Sequence, residues 1–435
     1  DVEVPYLVVD DAAQVLGRLA AAYYDYPSRK LTVIGVTGTD GKTTTSTLIH
    51  GILKASKHVR AGLISTITAD YGDGETADTG LHVTSPGAPQ LQAILARMVE
   101  RGVTHVVVEM TSHGLAQGRV NGVDIDIAVV TNITHEHLDY HGTWENYRDA
   151  KALMFRTLGS SARTHGQSKV AVINADDPSA DYLAAIPSEE KVLYGVDAGD
   201  VRAVDIRYEP SGTTFTADGE VFTVKLVGAF NVYNALAAIG ATRAGLRMEF
   251  DTIREGLMSV ASISGRMQRI DEGQNFTAIV DFAHTPNALK RALEAGLEML
   301  PEGNKLIAVF GSAGLRDREK RRIMAETSAQ LAHMTVLTAE DPRTESLDGI
   351  LEIMAKACEA QGGVEGKTFI RVPDRGLAIY EACQMANPGD IVMACGKGHE
   401  QSMCFGEIEY PWDDRDAMRA ALRGEPLKTL PTADA

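Results

Sequence analysis

Cysteine is scarce: Cys358, Cys383, Cys395 and Cys404 are the four in 435 residues, and none forms a C-x-x-C pair. That spacing argues against a disulfide scaffold and a cysteine-built structural zinc, and reduced cytoplasmic thiols are the plain reading. Positive charge is also short. Lys plus Arg number 42 against 59 Asp plus Glu, a formal net charge of −17. Such a chain offers no general field for nucleic acid or an anionic membrane, so any anionic ligand needs locally concentrated donors. Long apolar runs are missing: stretches such as Val106–Val108 fall far below the ~20 residues needed to cross a bilayer. The opening Asp1-Val2-Glu3-Val4 has no leader-peptide pattern. There is no internal repeat or low-complexity tract. With 44% hydrophobic and 23% charged residues the composition is ordinary for a globular protein, and the length suits roughly two to four domains.

What the chain does have is alternation. Leu31–Val36 reads as a buried strand, and a helix follows from about Lys42 with Leu48, Ile49, Ile52 and Leu53 on one face. Thr104–Glu109, Asp126–Asn132 and Ala171–Asn174 read as further strands, with a helix over Trp144–Phe155. This pattern predicts an α/β domain with a mostly parallel sheet of P-loop type. Between Val204 and Leu226 two period-2 segments, with turn signals at Pro210-Ser211-Gly212 and Asp218-Gly219, predict a small antiparallel insertion built as a hairpin. A second strand–helix series starts near Thr277, with strands at Lys305–Phe310, Met334–Leu337, Thr368–Val372 and Asp390–Ala394. It predicts a C-terminal Rossmann-like α/β domain. The expected division is a lead-in over 1–30, a central domain over 31–268 and a C-terminal domain over 269–435.

The strongest local signal is Gly35-Val36-Thr37-Gly38-Thr39-Asp40-Gly41-Lys42-Thr43-Thr44, lying between a strand and a helix. A helix N-terminus presents unpaired N–H groups and a partial positive charge. Glycines let that backbone wrap an anion, Lys42 adds a charge, and the Thr43 hydroxyl suits Mg²⁺. Val36 stands where the strict P-loop pattern has its first glycine, yet Gly41-Lys42-Thr43 in this context points to nucleotide phosphate. Glu109 ends a strand at the edge where open α/β sheets bind ligands, and it could face a cation at Thr43. His135-Glu136-His137-Leu138-Asp139 also follows a strand. Zinc would want further Cys or His ligands, and Mg²⁺ prefers oxygen, so these residues alone leave a metal and a plain polar loop both open. Ser112-His113 is no nucleophile–base pair, since adjacent residues do not face each other and no glycine elbow surrounds the serine.

Taken in order, these blocks resemble those of the Mur ligases, ATP-dependent amide-forming enzymes of bacterial cell-wall precursors. Thr37–Thr44 resembles T-G-T-N-G-K-T-T, with Asp40 in place of Asn. Glu109–His113, Asn132–Gly142, Tyr147–Lys151, Asn174–Asp177 and Phe230–Asn234 are similar to further family blocks. So are Gly265–Met267, Asp281–Pro286 and Gly396–Glu400, the last two being similar to the branch that adds the third residue of the peptide. The resemblance implies that Gly38, Thr39, Asp40, Gly41, Lys42, Thr43 and Thr44 hold the ATP phosphates. It implies two Mg²⁺ ions, one on Thr43 and Glu109 and a second helped by His137. It further implies that Lys151 carries a CO₂-derived carbamate, an oxygen ligand made from a cation. Lys42, Glu109, His137 and Lys151 would be the catalytic set. Asn231 and Asn234 would lie near the adenosine, and Arg266 and Asp281 would close on the nucleotide at the domain junction.

The implied partners are UDP-MurNAc-dipeptide and a diamino acid, bound by a cytoplasmic monomer. Thr84, Ser85, Ser112, Gln117 and Arg119 match family positions that touch the muramoyl peptide, although Gly87 replaces a common acid. Glu340, Asp341, Arg343, Gly396 and Glu400 match positions that hold the incoming amino acid. There Arg343 suits a distal carboxylate, while Asp341, in place of a neutral Asn, is expected to favour a bare ammonium. Diaminopimelate, lysine and ornithine all stay open. The run Arg316, Arg318, Lys320, Arg321 and Arg322 is expected to be a solvated helix face. The family's N-terminal uridine-binding domain is expected to be largely absent, with 1–30 as its remnant. That keeps two alternatives in view: a folylpolyglutamate- or cyanophycin-synthetase-like ligase, and a non-catalytic nucleotide-binding partner protein.

Overall fold

The computed structural model describes residues 8–72, 76–77, 85–134, 136–163, 166–209 and 212–428. The chain divides into two compact units. One is Asp1–Lys225 with Phe230–Ala261, and the other is Leu226–Ala229 with Ser262–Ala435.

The first unit is built on nine strands: β1 (Thr32–Thr37), β2 (Ala61–Ile64), β3 (Ala69–Asp70), β4 (Thr76–Ala77), β5 (His105–Glu109), β6 (Ile127–Val130), β7 (Val170–Asn174), β8 (Glu190–Gly195) and β9 (Val201–Arg202). Their order is β4-β3-β2-β5-β1-β6-β7-β8-β9, parallel from β2 to β9 and antiparallel where β3 and β4 join. Val33, Ile34, Val106, Val107, Ala128 and Val129 are fully buried. Helices cover both faces, so these strands read as continuous apolar runs rather than alternating ones. Each such Val or Ile side chain contributes about 1.5–3 kcal/mol on burial. The sheet order reverses at β1, between β5 and β6, which puts the ends of all three strands at one crevice.

Val204–Leu226 holds three strands rather than a hairpin: β10 (Val204–Glu209), β11 (Gly212–Ala217) and β12 (Glu220–Val224). Asp218 and Gly219 turn β11 into β12 with φ of 50° and 76°, as a tight hairpin turn requires. Residues 8–30 carry a helix, Ala12–Tyr23, capped by the Asp11 carboxylate, which accepts from the Ala13 and Gln14 amides. The helix seats Gly17 against the Asn121 carbonyl, where a Cβ would lie 2.3 Å from that oxygen.

The second unit has β13 (Gln268–Ile270), β14 (Thr277–Asp281), β15 (Leu306–Phe310), β16 (Met334–Leu337), β17 (Phe369–Arg371) and β18 (Ile391–Cys395) in the order β13-β14-β18-β15-β16-β17. Only the β13–β14 pair is antiparallel. A ribbon of β19 (Ser402–Phe405) and β20 (Ile408–Pro411) stands beside it. Both units are therefore mixed α/β with mostly parallel sheets, the fold class expected from the alternation. Among the described residues no helix is long and apolar enough to cross a membrane.

Candidate active site

In the first unit the loop Gly38–Gly41 leaves β1 and runs into the helix Lys42–Ala55. Gly41 occupies the N-cap with φ 79°, and a Cβ there would sit 2.3 Å from Asn234 Oδ1. Only glycine meets both demands, and it brings no side chain to close the helix's first turn. The loop is held from behind. The Thr39 amide donates to Asn132 O at 2.8 Å and the Asp40 amide to Asn132 Oδ1 at 3.1 Å. The Thr131 hydroxyl donates to Asp40 O at 2.6 Å. Lys42 Nζ donates to Thr39 O at 2.7 Å, folded over the loop it would serve. Thr44 is buried in the helix's first turn.

Register brings the carboxylate to the loop. Val36 pairs with Glu109 across β1 and β5, and Thr43 Oγ1 donates to Glu109 Oε1 at 2.8 Å. Glu109 is 1% exposed, and its Oε2 accepts from the Thr66 amide at 2.5 Å and the Thr66 hydroxyl at 3.0 Å. Thr66, which sequence reasoning missed, follows β2, the neighbour of β5. The Thr43–Glu109 donor set is all oxygen, which suits Mg²⁺ better than zinc.

Lys151 lies on the helix Trp144–Ser160, whose start is capped by Thr143. Its ammonium position is buried, 2.6 Å from Gly38 O and 4.5 Å from the centre of the Tyr147 ring one turn earlier. Burial first, then the nearby Lys42 charge, holds its pKa well below the usual lysine value. His137 adopts a left-handed φ of 55°. Its ring lies 4.7 Å from His113 and 6.2 Å from Tyr147. Burial and the surrounding His113, Lys42 and Lys151 push it down to about 3, so it is a neutral imidazole. The Tyr147 hydroxyl is 3.0 Å from Thr39 Oγ1. Asn234 accepts from the Thr45 hydroxyl at 3.2 Å and donates to Asn231 Oδ1 at 2.9 Å, so this pair backs the loop from the helix Phe230–Ile239.

Ser85 is 1% exposed; its hydroxyl lies 3.2 Å from Thr111 Oγ1, and its carbonyl accepts from Arg119 Nη1 at 3.2 Å. Thr111 caps the short helix Ser112–Ala116, whose C-cap is Gln117. Ser85, Ser112, Gln117 and Arg119 therefore stand together beside β5. Thr84 and His135 lie outside the described residues.

In the second unit the ends of β14, β16 and β18 carry the remaining residues. Asp281 accepts from the Met267 amide at 2.6 Å and the Ala283 amide at 2.8 Å. The Arg266 guanidinium lies 4.5 Å over the Phe282 ring. Glu340 is 5% exposed, and its Oε2 has no hydrogen-bond partner among the described residues. Burial pushes its carboxyl up to about 7. A Cβ on Gly396 would lie 2.6 Å from that oxygen, so glycine keeps the space open. Arg343 Nε is likewise buried, with no partner among the described residues. Asp341 and Arg343 both take left-handed φ, 40° and 55°, strain of the kind that collects at ligand sites. Asp341 is paired: Lys397 Nζ donates to its Oδ1 at 2.9 Å. The basic run is not a uniform solvated face. Arg321 is fully buried, with both terminal nitrogens 2.7 Å from Glu345 oxygens.

Comparison with known proteins agrees with this arrangement. The Mur ligase middle domain matches residues 36–242, and the Mur ligase glutamate ligase domain matches 265–398. A UDP-N-acetylmuramyl-tripeptide synthetase of Roseiflexus sp. (strain RS-1) is 43% identical, covering 97% of this chain and 84% of that protein. A UDP-N-acetylmuramoyl-L-alanyl-D-glutamate–2,6-diaminopimelate ligase of Geobacillus thermodenitrificans (strain NG80-2) is 41% identical over 97% of this chain and 85% of its own. A solved structure of a ligase of that same name superposes with a TM-score of 0.63 at 32% identity, covering 96% of this chain and 84% of that one. With both domains matched in order over most of its length, the chain belongs to the Mur ligase family of ATP-dependent, ADP-forming amide ligases.

Proposed function

We propose that the protein joins a diamino acid to UDP-N-acetylmuramoyl-L-alanyl-D-glutamate, and that the diamino acid is diaminopimelate. The observation that carries the reading is the 2.8 Å contact of Thr43 with Glu109 at a glycine loop bearing Lys42. It supplies anion donors and cation ligands at one sheet switch point. The loop amides and Lys42 bind the ATP phosphates, and Lys42 leaves Thr39 O to reach them. Mg²⁺ on Thr43 and Glu109 supplies Lewis-acid charge when bound. Thr66 orients Glu109 by holding its second oxygen.

The glutamyl carboxylate attacks the γ-phosphorus and ADP leaves, giving an acyl phosphate. The amine then attacks that carbonyl carbon, loses a proton and expels phosphate. Several negative charges converge in the first step, so the fixed positive groups of the loop contribute most there. We place a carbamate on Lys151: its low pKa supplies the neutral amine that reacts with CO₂, and its neighbour His137 is a neutral imidazole. Ser85, Ser112, Gln117 and Arg119 hold the muramoyl peptide. Asn231 and Asn234 support the loop on the adenosine side. In the second unit, Arg343 takes the distal carboxylate of diaminopimelate, and Glu340 and Glu400 take its ammonium. Two facts favour diaminopimelate over lysine and ornithine: the buried Nε of Arg343, which has no partner among the described residues, and the pairing of Asp341 with Lys397. The reaction draws on ATP and a nucleotide sugar, so we place it in the cytoplasm.

The test is phosphate release from ATP with the dipeptide substrate and each diamino acid in turn, with the product weighed by mass spectrometry. Release that requires the UDP-MurNAc-dipeptide and yields the diaminopimelyl tripeptide supports the reading. ATP turnover indifferent to that substrate contradicts it.

A further inference from the structure

Lys397 is 1% exposed yet carries a charge. Its ammonium donates to Asp341 Oδ1 at 2.9 Å and lies 2.6 Å from Glu400 Oε2. Asp341 is fixed a second time, because the same Oδ1 accepts from the Cys404 amide of β19 at 2.9 Å. A buried cation thus bridges two carboxylates contributed by the ends of β16 and β18. Lys320 and Arg375 also act on the neighbouring Glu340 and Asp414 on Glu400, and Arg375 and Asp414 are paired with each other. Lys397 is the cation in direct contact with Asp341, so it is the group that offsets the Asp341 charge.

From this pairing we propose that Lys397 is a specificity-positioning residue, which cancels Asp341 and thereby sets the pocket to accept a zwitterionic side-chain end rather than a bare ammonium. The inference rests on the ligase reading above. The chemistry is direct. Diaminopimelate ends in an ammonium and a carboxylate, net zero, whereas lysine ends in an ammonium alone. Without Lys397 the pocket is one charge more negative, with Asp341 repelling the incoming carboxylate and attracting an ammonium into the vacated position. Without the Asp341 charge the pocket is one charge more positive and disfavours lysine relative to diaminopimelate. Asp341 sits at a left-handed φ that Asn also tolerates, so Asp341→Asn keeps the backbone and an acceptor for the Cys404 amide.

The experiment measures kcat and KM for diaminopimelate, lysine and ATP in the full-length protein and in Lys397→Met, Asp341→Asn and the double variant. In K397M the diaminopimelate-to-lysine ratio of kcat/KM falls about tenfold or more, through KM, while the KM for ATP changes less than about twofold. In D341N the same ratio rises several-fold. The double variant recovers most of the diaminopimelate KM lost in K397M, which a merely structural lysine would not allow. Should K397M fail to fold, the rise in D341N carries the test alone. An unchanged ratio in D341N, or equal losses in K397M and the double variant, overturns the proposal and leaves the ligase reading standing. An unmodified protein that ligates no diamino acid overturns both.

Discussion

Glu340 offers the sharpest quantitative test of the amino-acid pocket. Its carboxyl is buried and one oxygen lacks a partner among the described residues, so the folded site holds its proton up to about pH 7. The unfolded chain releases that proton near the ordinary 4.5. Below 4.5 both states are protonated and stability is unaffected. As pH climbs from 4.5 to 7 the unfolded chain ionises first, and stability falls. Above 7 the folded site ionises too, and the loss stops growing. The distance from 4.5 to about 7, at about 1.4 kcal/mol per pH unit, comes to about 3 kcal/mol. Glu340→Gln removes the titration and keeps the shape. A constant penalty from burying the amide cancels when variant and parent are compared at two pH values. Urea unfolding near pH 5 and pH 8 should show E340Q gaining about 2.5 kcal/mol on its parent between them, most of the full amount. The kinetic counterpart is a rise in kcat/KM for the diamino acid as pH increases through 7, because the ionised carboxylate is the form that takes an ammonium. E340Q should lose that slope. A stability difference constant to within about 0.5 kcal/mol would refute the reasoning, since Glu340 would then titrate alike folded and unfolded.

Other perturbations follow from other parts of the fold. Arg375 and Asp414 are both fully buried and bidentate, with Arg375 also donating to the Ala339 and Cys395 carbonyls beneath the pocket. Arg375→Met should cost about 3–5 kcal/mol, and adding Asp414→Asn should recover much of it, both read by denaturant melts. Glu109→Gln should raise the half-saturating Mg²⁺ concentration about tenfold or more in an ATPase titration, with Thr66→Val shifting it the same way by less. Lys42→Met should lower kcat about 10²–10³-fold, with thermal melting showing the fold intact.

The phosphate loop was legible because its parts are local: Thr37 through Thr44 carry strand end, glycines, lysine and helix start in one run. Glu109 was legible as a strand end, and the sheet register places it against Thr43. Thr66 was not. It reaches Glu109 only because the four-residue β2 pairs with β5, and a strand that short gives no periodicity to read. Asp341 was legible as a residue, but its partner was not, because Lys397 lies 56 positions away. Arg321 shows the same limit: a basic run reads as a solvated face until Glu345 and the Ala313 carbonyl are seen to satisfy its guanidinium. In the insertion the turn at Asp218-Gly219 was legible, whereas the third strand depended on pairing across it.

Everything in the proposed chemistry passes through transfer of phosphate onto a substrate carboxylate. Supplying UDP-MurNAc-dipeptide with ¹⁸O in its glutamyl side-chain carboxylate, together with ATP, Mg²⁺ and diaminopimelate, follows that oxygen. The account predicts one labelled oxygen in each phosphate released, with the amide keeping the other. Unlabelled phosphate, with both heavy oxygens still on the peptide, would contradict it.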